Sequence, residues 1–166
     1  KRLIIYINNF FINNNYLNIY NNFVKLTRNK DLYKGLKYQD TFSDRLIFFL
    51  LHFAFFLKIY KSNDKKDILQ EIYDFIFRQI ELSIREIGYG DQTINKKMKD
   101  YLNLLYAMIE KINDWDNLSP ESKASIFTTF IDNIEDIEFL TDYFEKYLIF
   151  LRNNTLNSHI KGIVKQ

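Results

Sequence analysis

From Leu46 to Leu57 the chain runs twelve residues, Leu-Ile-Phe-Phe-Leu-Leu-His-Phe-Ala-Phe-Phe-Leu, in which His52 is the only side chain able to carry a charge. Such a segment must leave water on every side. It is too short to cross a bilayer as a helix, which takes about 20 residues. A helix without a polar face belongs at the centre of a packed domain. The stretch therefore predicts a central helix wrapped by others. Asp40, Thr41 and Ser43 offer caps ahead of it, and the segment from Lys58 to Lys66 reads as a polar loop behind it.

The wrapping is legible on both sides. Between Ile68 and Ile87, residues Leu69, Ile72, Ile76, Ile80, Ile84 and Ile87 fall on one helical stripe, and Met98, Leu102, Leu105, Ile109 and Ile112 repeat the pattern. Tyr16–Lys30, Ser122–Ile134 and Asp136–Leu151 read as further amphipathic helices. Ser119 is placed to cap the second of these, with Pro120 in its first turn. Arg28 to Asp31 reads as a helix exit and Leu32 to Gly35 as an irregular connection. Four glycines and one proline are few for a fold built on many turns, and a chain of 166 residues that is 47% hydrophobic has ample material for one core. The expected fold is all-α: a single-domain helical bundle of about six to seven helices. Residues 1–15 form a leading or interfacial segment, 16–151 the helical domain and 152–166 a polar C-terminal tail. Lys1-Arg2 followed by Leu3 to Ile7 resembles a signal peptide, but no small-residue cleavage site follows.

Several chemistries are excluded. Without cysteine there are no disulfides, thiolate metal sites or cysteine nucleophiles. His52 and His159 are far apart and belong to no zinc-binding pattern. Gly88-Tyr89-Gly90 follows a helical pattern where a phosphate loop would follow a strand. Glu135, Asp136, Glu138, Asp142 and Glu145 read as the solvated face of a helix. A formal charge of +2 is too small to argue for nucleic acid. No catalytic residue, metal or cofactor is expected. His52 reads as a core histidine with one hydrogen bond, or else as a polar contact to a partner or prosthetic group.

The richest local pattern lies between the two best amphipathic helices, in Arg85-Glu86-Ile87-Gly88-Tyr89-Gly90-Asp91 and the following Lys96, Lys97 and Lys99. A glycine supplies the left-handed residue that closes a helix, and Asp91 or Thr93 is placed to cap the next. Three lysines early in that helix oppose its dipole; they read as a plain solvated face, or else as a docking patch for an acidic protein surface or anionic lipid headgroups.

Asp40-Thr41, Arg45, Leu51-His52, the Arg85–Asp91 corner and Lys97-Met98-Lys99 follow one another at spacings that resemble the ubiquinol–cytochrome c chaperone family, the assembly factors of the cytochrome bc1 complex. The likeness runs from about Tyr20 to Ile112. Tyr106-Ala107-Met108 stands where the family has Tyr-Gly-Arg, so no role carries over from that arginine. The proline often preceding the Lys/Arg-Met-Lys helix is replaced around Asn95, and Glu81 stands for an acidic position before the corner. The resemblance implies a non-enzymatic, chaperone-like helical domain that binds newly made cytochrome b or an early bc1 intermediate. Its partner-binding residues would be Arg45, His52, Arg85, Glu86, Asp91, Lys97 and Lys99, to which the charge pattern of the corner adds Lys96. Arg45 and His52, two turns apart, would share a client-facing side of one helix. The expected location is the cytoplasmic side of a bacterial inner membrane, held peripherally, or the matrix face of a mitochondrial one. Two other readings fit the residues: a small helical ligand-binding protein or enzyme using His52, and a generic domain binding anionic membrane surfaces.

Overall fold

The computed structural model of the chain describes residues 16–36 and 41–166. Asp40, one of the three candidate caps, and the leading segment 1–15 lie outside these residues. The described elements are α1 (Leu17–Thr27), α2 (Asp31–Lys34), α3 (Phe42–Tyr60), α4 (Lys66–Ile87), α5 (Asp91–Ile112), α6 (Pro120–Phe130), α7 (Ile137–Arg152) and α8 (Leu156–Lys161). Single 3₁₀ turns at Asn63–Lys65 and Trp115–Asn117 join α3 to α4 and α5 to α6. The fold is all-α. Six of its helices have eleven residues or more.

The apolar run forms the middle of α3, and every residue from Phe48 to Phe56 is buried. Thr41 starts this helix with a capping box: its hydroxyl accepts from the Asp44 N–H at 3.2 Å, and the Asp44 carboxylate accepts from the Thr41 N–H at 3.0 Å. Such a cap contributes about 1 kcal/mol. Helices α1, α5 and α7 pack around α3. On the α1 side Phe23 meets the rings of Phe49, Phe53 and Phe56 with centroids 5.4, 5.6 and 5.4 Å away. On the α7 side Phe144 stacks between Phe55 and Phe127. Each fully buried Phe stabilises the fold by about 1.5–3 kcal/mol, so this aromatic centre accounts for much of the cohesion.

The α4 stripe packs as its spacing predicts from Leu69 to Ile84, but Ile87 is 50% exposed where the helix leaves the core. Ser119 caps α6, accepting from the Ser122 N–H, and Pro120 is its first residue.

Three places differ from the sequence expectation. The connection at 32–35 contains the one-turn helix α2, because Leu32 and Tyr33 are both buried. Helix α6 ends at Phe130, and the chain beyond it pairs through an isolated antiparallel bridge, Leu36 to Ile134. There the Glu135 N–H donates to the Gly35 carbonyl at 2.5 Å. A Cβ on Gly35 would stand 3.2 Å from that of Asp136, a tight contact to which the neighbouring segment would have to yield. The segment 152–166, expected as a polar tail, holds α8, which packs on α1 and buries Leu156 and His159. Its apolar positions are too few and too short in span for periodicity to show them.

Candidate binding surface

The corner between α4 and α5 takes its shape from Gly88, whose φ of 100° and ψ of 16° close α4 in the left-handed region while its N–H donates to the Arg85 carbonyl at 3.0 Å. Gly90 then adopts extended backbone and α5 begins at Asp91. No side chain caps α5, so the expected capping by Asp91 or Thr93 does not occur. Asp91 lies in the first turn, where its charge suits the dipole. Its carboxylate accepts from Arg85 Nη1 at 2.6 Å, and Arg85 also donates to Glu81 from Nη2 at 2.9 Å and Nε at 3.2 Å. These two carboxylates, Asp91 foremost, raise the Arg85 pKa above its ordinary value. Arg85 thus ties the end of one helix to the start of the next.

Lys97 lies over the ring of Tyr89 with Nζ 4.8 Å from its centroid. Lys96 and Lys99 are exposed and make no ion pair among the described residues. Lys96 is the sixth residue of α5, beyond the first turn in which the dipole acts. The expected dipole penalty on the lysines is therefore small. What remains is their arrangement beside apolar side chains: Leu82, Ile87 and Tyr89 are each more than two-fifths exposed. Glu86 is exposed on the same turn. Cations interleaved with exposed apolar groups suit a partner that is itself apolar and anionic.

Arg45 lies elsewhere. With Arg28 it lines a cleft of about 230 Å³ between α1, α3 and α4, whose walls include Val24, Leu46, Phe49 and Ile80. Phe42, 43% exposed, also lines it. The cleft has the chemistry of an anchor pocket: an apolar interior with guanidinium groups beside it.

His52 shares neither place. It is fully buried, so the expectation of a client-facing side shared with Arg45 is corrected. Helix α7 covers α3 at this level, setting the rings of Tyr143, Phe144 and Tyr147 within 5.5 Å of the imidazole centroid. The imidazole makes two hydrogen bonds where one was expected. Nδ1–H donates to the Phe48 carbonyl at 2.6 Å, leaving Nε2 to accept from the Tyr143 hydroxyl at 2.7 Å. Burial lowers its pKa to about 4, partly offset by the bond to Phe48, so it is neutral near pH 7.

A matching pair escaped the sequence reading. Tyr60 donates to the Leu151 carbonyl at 2.7 Å and so accepts from His159 Nε2 at 2.8 Å; burial also lowers the His159 pKa to about 4. Glu145, read as part of a solvated face, instead accepts from the buried Trp115 indole at 3.1 Å and pairs with Lys123. These partners are 22 to 99 residues apart in the chain, so no local spacing reveals them. The second arginine of the cleft was readable: Arg28 sits in a stretch, Tyr16 to Lys30, without a single carboxylate.

No grouping of three or more His, Asp or Glu able to hold a metal occurs among the described residues, and no helix among them is long and apolar enough to cross a membrane. The surface features of this all-α core are an exposed basic-apolar corner and a small arginine-lined cleft. The model of the ubiquinol–cytochrome C chaperone family matches residues 34–116, half of the chain, and covers both the corner and the start of α3. The chain belongs to that family. The fold is shared with the crystal structure of the Cbp3 homolog from Brucella abortus, at 22% identity over 99% of this chain and 96% of that one, with a TM-score of 0.71. No curated protein sequence matches.

Proposed function

We propose that the protein is a non-enzymatic assembly chaperone of the cytochrome bc1 complex, binding newly made cytochrome b or an early assembly intermediate beside the membrane. Family membership carries this reading, because the matched residues include the corner and the Arg45 side of the cleft. A client with exposed apolar surface needs a holder that offers apolar contact without inserting itself. The corner, with Leu82, Ile87 and Tyr89 among Lys96, Lys97 and Lys99, meets that need by hydrophobic contact and charge steering together. Arg85, Asp91 and Glu86 contribute by fixing and flanking this corner, and Arg45 by lining the cleft.

The proposed organisation is one chaperone domain over 16–151, completed by the C-terminal 152–166 whose α8 packs on α1, with 1–15 as a leading segment. The proposed location is peripheral to the inner membrane, on its cytoplasmic side in a bacterium. The reading of His52 as a ligand or catalytic group is disfavoured: both ring nitrogens are bonded within the protein.

Deleting the gene in its host is expected to lower the assembled bc1 complex and its haem b absorbance while unrelated membrane enzymes keep their levels. The wild-type gene should restore it and a Lys96→Glu, Lys97→Glu, Lys99→Glu gene should not. Normal bc1 levels in the deletion strain would sink the proposal. Restoration by the triple variant would remove the corner from it.

A further inference from the structure

Two clefts flank α1, and among the described residues neither is lined by a carboxylate side chain. One side of α1 faces the Arg45 cleft. The other, outside the family-matched residues, borders a groove of about 600 Å³ between α1, α7 and the C-terminal strand of chain. Its lining is of three kinds. Tyr143, Tyr147, Phe150 and Leu26 provide an aromatic and aliphatic floor; Lys25 and Lys146 provide charge; Asn22, Asn29 and Gln166 provide amides.

The floor is held in place from behind. The hydroxyl of Tyr143 is spent on His52, and Tyr147 is buried with its ring 4.8 Å from the same imidazole. The wall is fixed as well. Asn154 donates from Nδ2 to the Lys165 carbonyl and accepts at Oδ1 from the Lys165 N–H, both at 2.8 Å, which pins Val164 and Gln166 against the groove. A preformed groove loses little entropy on binding.

The two lysines are unpaired: Lys25 and Lys146 make no ion pair among the described residues. The carboxylates of α7 are engaged or lie elsewhere: Glu145 holds Trp115 and Lys123, while Glu138 and Asp142 line a different cleft with Glu121. Asn22, half-buried, has no hydrogen-bond partner among the described residues.

We propose that this groove is a second docking site, separate from the corner and the Arg45 cleft, for an extended acidic segment of a protein partner. Its carboxylates would meet Lys25 and Lys146, its apolar side chains would lie on Tyr143 and Phe150, and its main chain would bond to Asn22. A concave floor with amides beside it fits a peptide. A membrane-docking face would instead project its apolar side chains outward.

The test uses the full chain and a short synthetic peptide alternating Glu with Leu and Phe, fluorescently labelled and followed by anisotropy. The peptide should bind with an affinity that falls as salt rises. It should lose at least about tenfold on Lys25→Glu with Lys146→Glu, with melting unchanged as the control for folding. The corner variant Lys96→Glu, Lys97→Glu, Lys99→Glu should bind it as the wild type does, which keeps this outcome independent of the bc1 proposal. In NMR spectra the shifts should centre on Asn22, Lys25 and Lys146. Absence of binding, equal binding by the Lys25/Lys146 variant, or perturbation centred on the corner overturns the proposal. So does binding of phosphatidylglycerol vesicles, lost in the Lys25/Lys146 variant, where the peptide is ignored.

Discussion

The His52 site and the α4–α5 corner are both polar constellations, yet they use their polarity in opposite ways. At His52 each polar atom is enclosed and matched: one nitrogen gives to Phe48, the other takes from Tyr143, and aromatic rings close around them. At the corner Arg85 spans Glu81 and Asp91, but in water, where such pairs contribute little. A matched buried polar group is costly to disturb because its partner is left stranded in apolar surroundings. An exposed one is cheap to change, since water replaces the lost bond. Residues of the first kind hold the fold; residues of the second kind remain available to a partner.

The comparison is tested most severely by His52→Ala. Removing the ring leaves a cavity among Phe144, Tyr147 and Phe48 and strands the Tyr143 hydroxyl. Urea denaturation should show a loss of about 3 kcal/mol or more. A loss under about 1 kcal/mol would mean the enclosure is not what holds this region.

A comparable effect should follow pH. The folded-state pKa of His52 is near 4, while an unfolded histidine titrates near 6.5. Between these values the unfolded chain holds more protons than the folded one, so stability is complete above about pH 6.5 and declines as pH falls toward 4. Below that the His52 contribution stops changing. His52 alone accounts for up to about 3 kcal/mol, and His159, whose pKa is also lowered to about 4, adds to it in the same direction. Urea midpoints measured from pH 7.5 to 4 should fall. The fall should be shallower in His159→Gln, and a flat profile would overturn the picture of neutral buried histidines.

Next in size is Gly88→Ala. Nothing stands within 4 Å of the added Cβ, so the cost is backbone strain at φ 100° alone, about 1 kcal/mol. Thermal melting should drop by a few degrees. No drop would mean that the turn can be remade without a left-handed residue.

The smallest stability effect belongs to Lys96→Ala with Lys97→Ala and Lys99→Ala. Replacing exposed side chains should change stability by less than about 0.5 kcal/mol, while assembly of the bc1 complex in cells falls. If this variant melts as early as His52→Ala, the corner is a structural element and the contrast between the two regions fails.

Much of this was readable in the chain. Leu46 to Leu57 had to be central because no orientation of so apolar a helix leaves a solvated side, and α3 is indeed enclosed by α1, α5 and α7. Gly88, Thr41 and Ser119 announced helix ends because capping is a local affair of four or five residues. The family likeness showed through the corner for the same reason: its residues are adjacent in sequence.

The candidate site was legible only in part. Arg45 and Lys97 could be named, but whether each was exposed could not, since exposure depends on which helix lies across it. His52 illustrates the limit. Its sequence neighbours fixed that it would be buried or unusual, but its covering by Tyr143 and Tyr147, about ninety residues away, turned a possible contact into a core group.

By itself, then, the sequence determined the six long helices, the ends marked by Thr41, Gly88 and Ser119, the central place of α3 and the family, because periodicity, capping and motif spacing are properties of neighbouring residues. Only the tertiary structure decided that His52 and His159 are internal, that Glu145 is occupied, and that Arg28 joins Arg45 and Lys25 joins Lys146. Those outcomes depend on which distant helices meet, and water is removed from a side chain by the elements packed over it.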